Sequence, residues 1–134
     1  MKKFIFMLVM LLSTATFAHA GNVKSLTATS FSMRYLAGSY YSSYWTDWSR
    51  DMSCYIDVYI DTRTDQIIID SRETQVYNIY STGRTYYDRQ RNECCDFKVI
   101  DQDGDRGTIT LRAGRNWAQI YVRFSNVEWM YNVQ

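Results

Sequence analysis

The densest set of side chains able to bind a ligand lies between positions 40 and 50. Tyr40, Tyr41, Tyr44, Trp45 and Trp48 fall within nine residues, with Asp47 and Arg50 beside them. Exposed aromatic rings cover the apolar C–H face of a sugar while a neighbouring acid or base takes its hydroxyls. The same residue types anchor protein–protein contacts. A third use is purely structural: Trp45 and Trp48 fold back as a lid on the core. All three readings stay open. A second aromatic row, Tyr55, Asp57, Tyr59 and Asp61, reads as the solvated face of a sheet with cross-strand partners.

Catalytic chemistry has few residues to draw on. The only histidine is His19, and it lies in a segment read below as cleaved, so the commonest general base is lost with it. Glu73, Glu93 and Glu128 are the only glutamates, and Glu128 reads as a solvated residue on the non-core face of an aromatic strand. Lys24 and Lys98 are the only lysines beyond the leader, and neither follows a serine by three residues. A carboxylate-based hydrolase stays open because its two acids can come from distant strands, yet no spacing singles out a pair. Asp101, Asp103 and Asp105 have the spacing that opens a calcium loop, but Arg106 and Arg112 stand where Gly and Glu belong, so the segment reads as a hairpin turn. Arg84, Arg89 and Arg91 surround Tyr86 and Tyr87, but Asp88 and Glu93 offset their field, which favours a solvated loop over a phosphate site. No metal site, cofactor or catalytic residue is implied.

The elements that must position these groups begin with a leader. Lys2 and Lys3, an apolar run over residues 4–12 and Ala18-His19-Ala20 read as a secretory signal peptide, residues 1–20, cleaved after Ala20. The protein is expected to be exported, periplasmic or extracellular, with residues 21–134 as one domain. Losing Lys2 and Lys3 moves the net charge from +1 to −1. That attracts neither nucleic acid nor an anionic membrane surface, and no lipoprotein cysteine stands at the cleavage point.

The domain has no proline and is rich in Tyr, Ile, Val, Thr and Trp, which is strand composition. Alternation recurs along it. Phe31, Met33 and Tyr35 share a face; Cys54, Ile56, Val58 and Ile60 alternate with the tyrosines and aspartates above. Short strands follow over Gln66–Asp70 and residues 74–80, then a polar stretch over 81–93 with the least pattern. Cys95, Phe97 and Val99, then Ile109 and Leu111, flank the hairpin signal Asp103-Gly104. Ala118, Ile120, Val122 and Phe124 form the next inward row, and Val127, Trp129, Tyr131 and Val133 the last. Seven or eight short strands with close turns predict an all-β domain, an antiparallel β-sandwich or a small β-barrel. Strand order is not readable. The last strand either lies at an edge, free to pair with another chain, or is interior or closes a barrel, and the second reading is preferred. In an exported protein Cys54, Cys94 and Cys95 are possible disulfide partners. Face parity places Cys54 and Cys95 on the core side, so that pair is the candidate bridge.

Several motifs carry a resemblance: Ala28-Thr29-Ser30-Phe31, Trp45-Thr46-Asp47-Trp48, Ile68-Ile69-Asp70-Ser71 with Gln75-Val76-Tyr77, Gln119-Ile120-Tyr121-Val122, and Trp129-Met130-Tyr131-Asn132-Val133. In this order they resemble a group of small exported all-β proteins of gut Bacteroidetes for which no activity is established. The resemblance implies export and an all-β domain and adds no catalytic residue. Residues 36–41 also resemble the Gly-x-aromatic opening of lipocalin-like barrels, with Tyr40 where tryptophan is usual. The expected function is a non-catalytic binding module that uses the 40–50 loop on a protein or carbohydrate partner. A lipocalin-like barrel holding an apolar ligand is the alternative.

Overall fold

The computed structural model describes residues 23–133. The signal-peptide reading of residues 1–20 therefore lies outside the described residues. Ten strands follow one another: β1 (Val23–Ser39), β2 (Ser42–Trp45), β3 (Met52–Asp61), β4 (Gln66–Asp70), β5 (Thr74–Thr82), β6 (Tyr86–Tyr87), β7 (Glu93–Ile100), β8 (Arg106–Ala113), β9 (Ala118–Phe124) and β10 (Val127–Val133). Between sandwich and barrel, the structure is a barrel. Eight strands run antiparallel in the order β10-β9-β8-β7-β5-β4-β3-β1, and β10 pairs back onto β1 from Tyr35↔Val127 to Ala28↔Val133. Closure removes the free edges that an open sheet must protect. The remaining two are additions: β2 hydrogen-bonds to the far end of β1, and β6 carries on along β7 where β5 leaves it.

Inward rows fill the lumen. Val58, Ile69, Val99, Ile109, Ile120 and Val122 are completely buried at its middle, and Leu26, Ile60, Ile67, Phe97 and Leu111 pack with them. These rows match the alternation of the sequence because each strand has one face in the core and one outside. The first strand departs from the pattern. It begins at Val23, well before Phe31, and a bulge between Ala28 and Ser30 shifts its register against both β3 and β10. Such a bulge inserts one extra residue, so Leu26 and Ala28 on one parity and Phe31 and Met33 on the other face the same interior. A simple period-2 reading stops at that point. The polar stretch over 81–93 is also more ordered than its composition suggests. It holds the end of β5, β6 and a turn in which the Asp88 carboxylate accepts from the backbone N–H groups of Gln90 and Asn92 at 2.8 and 2.9 Å.

The candidate disulfide Cys54–Cys95 is corrected: Cys54, Cys94 and Cys95 are all free thiols. Parity placed Cys54 and Cys95 on the right face but said nothing of height along the barrel. Cys54 lies near the start of β3 and Cys95 near the start of β7, at opposite ends of the lumen, with β4 and β5 between their strands. Their sulfurs lie 3.6 Å from the carbonyl oxygens of Ala28 and Gly83 respectively. Burial pushes the Cys95 thiol up to about 11, so it stays protonated at neutral pH.

The filled lumen predicts the effect of a cavity. Ile120→Ala should lower stability by about 2–5 kcal/mol, read as a lower urea midpoint at unchanged slope. A change well below 1 kcal/mol would mean that the barrel interior is not close-packed.

Candidate functional site

One concave region lies at the mouth of this barrel and another on its outer wall. The mouth is the end where β1 climbs past β3, where β4 turns into β5, and where β10 begins. Phe31 and Met33 from β1, Ile56 from β3, and Trp129 and Tyr131 from β10 line a recess of about 440 Å³. Ser71 and Arg72 from the β4–β5 turn and Gln75 from β5 stand at its rim. The Tyr77 hydroxyl donates to Gln75 Oε1 at 2.6 Å and fixes that side chain beside it. Arg72 is exposed and makes no ion pair among the described residues. Burial pushes the Tyr131 hydroxyl up to about 12, so it is a neutral hydrogen-bonding group at physiological pH. Trp129 Nε1 is buried near that hydroxyl, yet no bond of ordinary geometry satisfies it. A buried donor left unpaired costs about 1–3 kcal/mol, which the neighbouring Tyr131 hydroxyl offsets in part.

The loop read from the sequence as a binding segment divides in two. Tyr40 and Tyr41 form the two-residue tip of the β1–β2 hairpin, each 93% exposed and packed edge to face at 5.1 Å. Tyr44 is also exposed on β2, and Asp47 and Arg50 are exposed in the segment that follows. Gly38 makes the hairpin possible: its φ is 98°, and a Cβ there would come within 2.1 Å of the Ser42 carbonyl oxygen. Trp45 and Trp48 turn the other way. Segment 46–49 takes the β1 edge that β3 vacates, with the Thr46 and Ser49 N–H groups donating to the carbonyls of Tyr35 and Met33, each at 2.8 Å. The Thr46 and Ser49 hydroxyls in turn accept from the N–H groups of Tyr35 and Met33. This strapping sets both indoles against the outside of the barrel, so they form a cover on the outer wall rather than a lid on the core.

Beneath the indoles is an ionic cluster. The Arg34 guanidinium lies 4.6 Å from the Trp48 ring and 5.1 Å from the Trp45 ring, and Arg123 lies 5.3 Å from Trp45. Between the two arginines Glu128 is only 3% exposed. Its Oε1 pairs with Arg34 at 2.6 Å and its Oε2 with Arg123 at 2.9 Å. The expectation that Glu128 is solvated is therefore corrected: it faces away from the core as the alternation requires, but two guanidinium groups and the aromatic cover enclose it. Sequence reasoning singled out neither Arg34, Arg123 nor Arg72. A signal existed for one of them, because the two-residue turn at 125–126 sets Arg123 directly opposite Glu128. Arg34 joins them only through the β1–β10 pairing, 94 residues away in sequence from Glu128.

The rest of that wall is polar. Asp96 Oδ1 accepts from the Tyr86 and Thr110 hydroxyls at 3.0 and 2.8 Å. Farther along, Arg112 Nε donates to Asp88 at 2.7 Å and its Nη1 to Gln119 at 2.9 Å; Gln119 donates to Asn132, and Asn132 to the Ser30 hydroxyl. Among the described residues no group of three or more His, Cys, Asp or Glu is placed to hold a metal ion. In the β7–β8 turn the Asp101 carboxylate instead accepts from the backbone N–H groups of Asp103 and Asp105 at 2.9 and 2.8 Å. Comparison with protein families, with curated proteins and with solved structures finds no match.

Two outcomes follow. Glu128→Gln should leave Arg34 and Arg123 uncompensated and lower stability by about 2 kcal/mol, less than a fully buried pair because both guanidinium groups keep some water; the urea midpoint and a shift in indole emission report it. Asp88 is held at about 2 by the Asn92 backbone N–H first and by Arg112 second. A depressed carboxylate adds stability above its unfolded value near 3.9, and that contribution is lost as pH falls from about 4 toward 2. Amide protection in residues 86–92, taken as exchange relative to the intrinsic rate at each pH, should therefore fall over that window, and protection that is flat across it would contradict the assignment.

Proposed function

We propose that this protein is an exported, non-catalytic binding barrel that takes a small amphiphilic molecule at its mouth. The observation that carries this reading is the position of the apolar recess. The lumen is packed through its middle, and a space of about 440 Å³ opens where Phe31, Met33, Ile56, Trp129 and Tyr131 diverge below the rim. That volume lies toward the small end of ligand sites and suits a short apolar body rather than a long acyl chain. Arg72 at the rim gives such a molecule a charged partner for its polar end. A small β-barrel is also compatible with a lipocalin-like binding role.

A partner docking on the hairpin tip is the second reading, and the exposure of Tyr40 and Tyr41 favours it. Geometry lends no support to a carboxylate hydrolase. Asp96 and Glu128 both face the outer wall, but β8 and β9 separate their strands. Three strand spacings put them on the order of 14 Å apart along the wall, beyond the separation two cooperating glycosidase carboxylates need. Both oxygens of Glu128 are also engaged by arginines.

A thermal-shift panel of short-chain carboxylates, the matching alcohols and small aromatic acids tests the reading. A ligand at about a hundred times its Kd adds roughly 2.7 kcal/mol, a rise of very roughly 10 °C. Arg72→Gln should weaken a carboxylate by about tenfold and leave the matching alcohol unchanged. Ile56→Trp should fill the recess and abolish both. Shifts that survive Ile56→Trp would place the ligand elsewhere and sink the proposal.

A further inference from the structure

The outer wall of a β-barrel is convex, yet this one carries a groove of about 390 Å³. Its floor is the outward row of β7, β8 and β9, with Asp96, Thr108, Thr110 and Tyr121. Tyr86 of β6 bounds it on one side. On the other stand Arg34 and Arg123, backed by Trp45 and Trp48, and the Trp48 ring meets Tyr121 edge to face at 6.0 Å. The two strands that play no part in closing the barrel, β2 and β6, thus flank this groove.

We propose that the groove is a binding site for a neutral saccharide, independent of the ligand at the mouth. Charge is the first argument. Arg34 and Arg123 face Glu128 and Asp96, so the lining is balanced and offers an anion or a cation no net attraction. The second is the state of its hydrogen-bonding groups. Arg123 uses only Nε on Glu128, and its side chain is 50% exposed, so the Nη groups can donate. Both hydroxyls that reach Asp96 fall on Oδ1, and Oδ2 has no hydrogen bond to another described residue. Thr108 adds a hydroxyl with no hydrogen-bond partner among the described residues. Burial first, and the bond to Asp96 second, raise the Tyr86 hydroxyl well above the usual tyrosine range, so it keeps its proton on Asp96 and presents its oxygen as an acceptor for a ligand hydroxyl. Fixed acceptors, fixed donors and hydroxyls beside aromatic rings match a ring of alternating C–H faces and equatorial hydroxyls. The third argument is preorganisation: Glu128 holds the guanidinium groups and the two indoles cover them, so little side-chain freedom is lost on binding.

Calorimetric titration of the secreted protein with neutral gluco-, xylo- and manno-oligosaccharides, and with a uronic-acid oligomer as the charged comparator, tests the site. The expected result is binding of at least one neutral oligosaccharide with a change in indole emission. Asp96→Asn should weaken it by about tenfold or more, the loss expected for a hydrogen bond to a charged group. Thr108→Tyr should block the floor. Thr108→Val, which removes the hydroxyl at nearly constant volume, should weaken binding severalfold and decides the matter should the bulky change disturb the fold. Arg72→Gln and Ile56→Trp, at the mouth, should leave saccharide affinity unchanged. Three results would overturn the proposal: no neutral saccharide binding at millimolar concentration, affinity unaltered in Asp96→Asn and Thr108→Val, or a preference for the uronic-acid oligomer.

Discussion

Everything on this barrel depends on one pairing, that of β10 with β1. Seven paired positions from Tyr35↔Val127 to Ala28↔Val133 join strands from the two ends of the described chain. They convert a sheet with two exposed edges into a closed wall. Closure makes an interior that eight strands can fill with Val, Ile and Leu, and it brings Arg34 to Glu128. Without it neither concave region would exist, since the mouth draws on Phe31 and Met33 together with Trp129 and Tyr131, and the outer groove on Arg34 together with Glu128.

The seam is reinforced from outside as well as inside. Asn132 donates to Ser30 at 2.9 Å across it, and the Arg34–Glu128 pair crosses it again at 2.6 Å. These polar contacts continue sideways through Gln119 and Arg112 to Asp88, crossing β9 and β8. Individual surface ion pairs contribute little, but here they sit on a hydrogen-bonded wall beneath aromatic cover. That arrangement fixes where each side chain points more than it adds to stability, a property a recognition surface needs.

Division of labour between the two ends follows from side-chain volume. Ile, Val and Leu close the middle and far end, whereas Trp129, Tyr131 and Phe31 splay where β1 leaves the barrel to form its hairpin. β1 can leave because the bulge near Thr29 turns it, and because segment 46–49 then satisfies the backbone groups of Met33 and Tyr35 that β3 no longer reaches. The aromatic cover on the outer wall is thus a consequence of backbone bookkeeping at the mouth.

How much of this was legible can be judged from particular residues. Rows such as Ile56-Val58-Ile60 and Ile120-Val122-Phe124 were readable because a strand's two faces impose period two on the sequence. Asp103-Gly104 was readable because Gly104 adopts a φ of 87°. The Arg123–Glu128 pair lay within reach of a two-residue turn. The Cys54–Cys95 bridge failed because parity fixes face and not height. The burial of Glu128 is not legible in sequence because it comes from Arg34, Trp45 and Trp48, none of them its neighbour along the chain. By itself, then, the sequence determined the all-β class, the inward rows and the local turns, since each is set by interactions a few residues apart. Barrel rather than sandwich, the register of the seam, the free thiols, and the making of two recesses were decided by the tertiary structure alone, because each depends on which distant strands come to lie side by side.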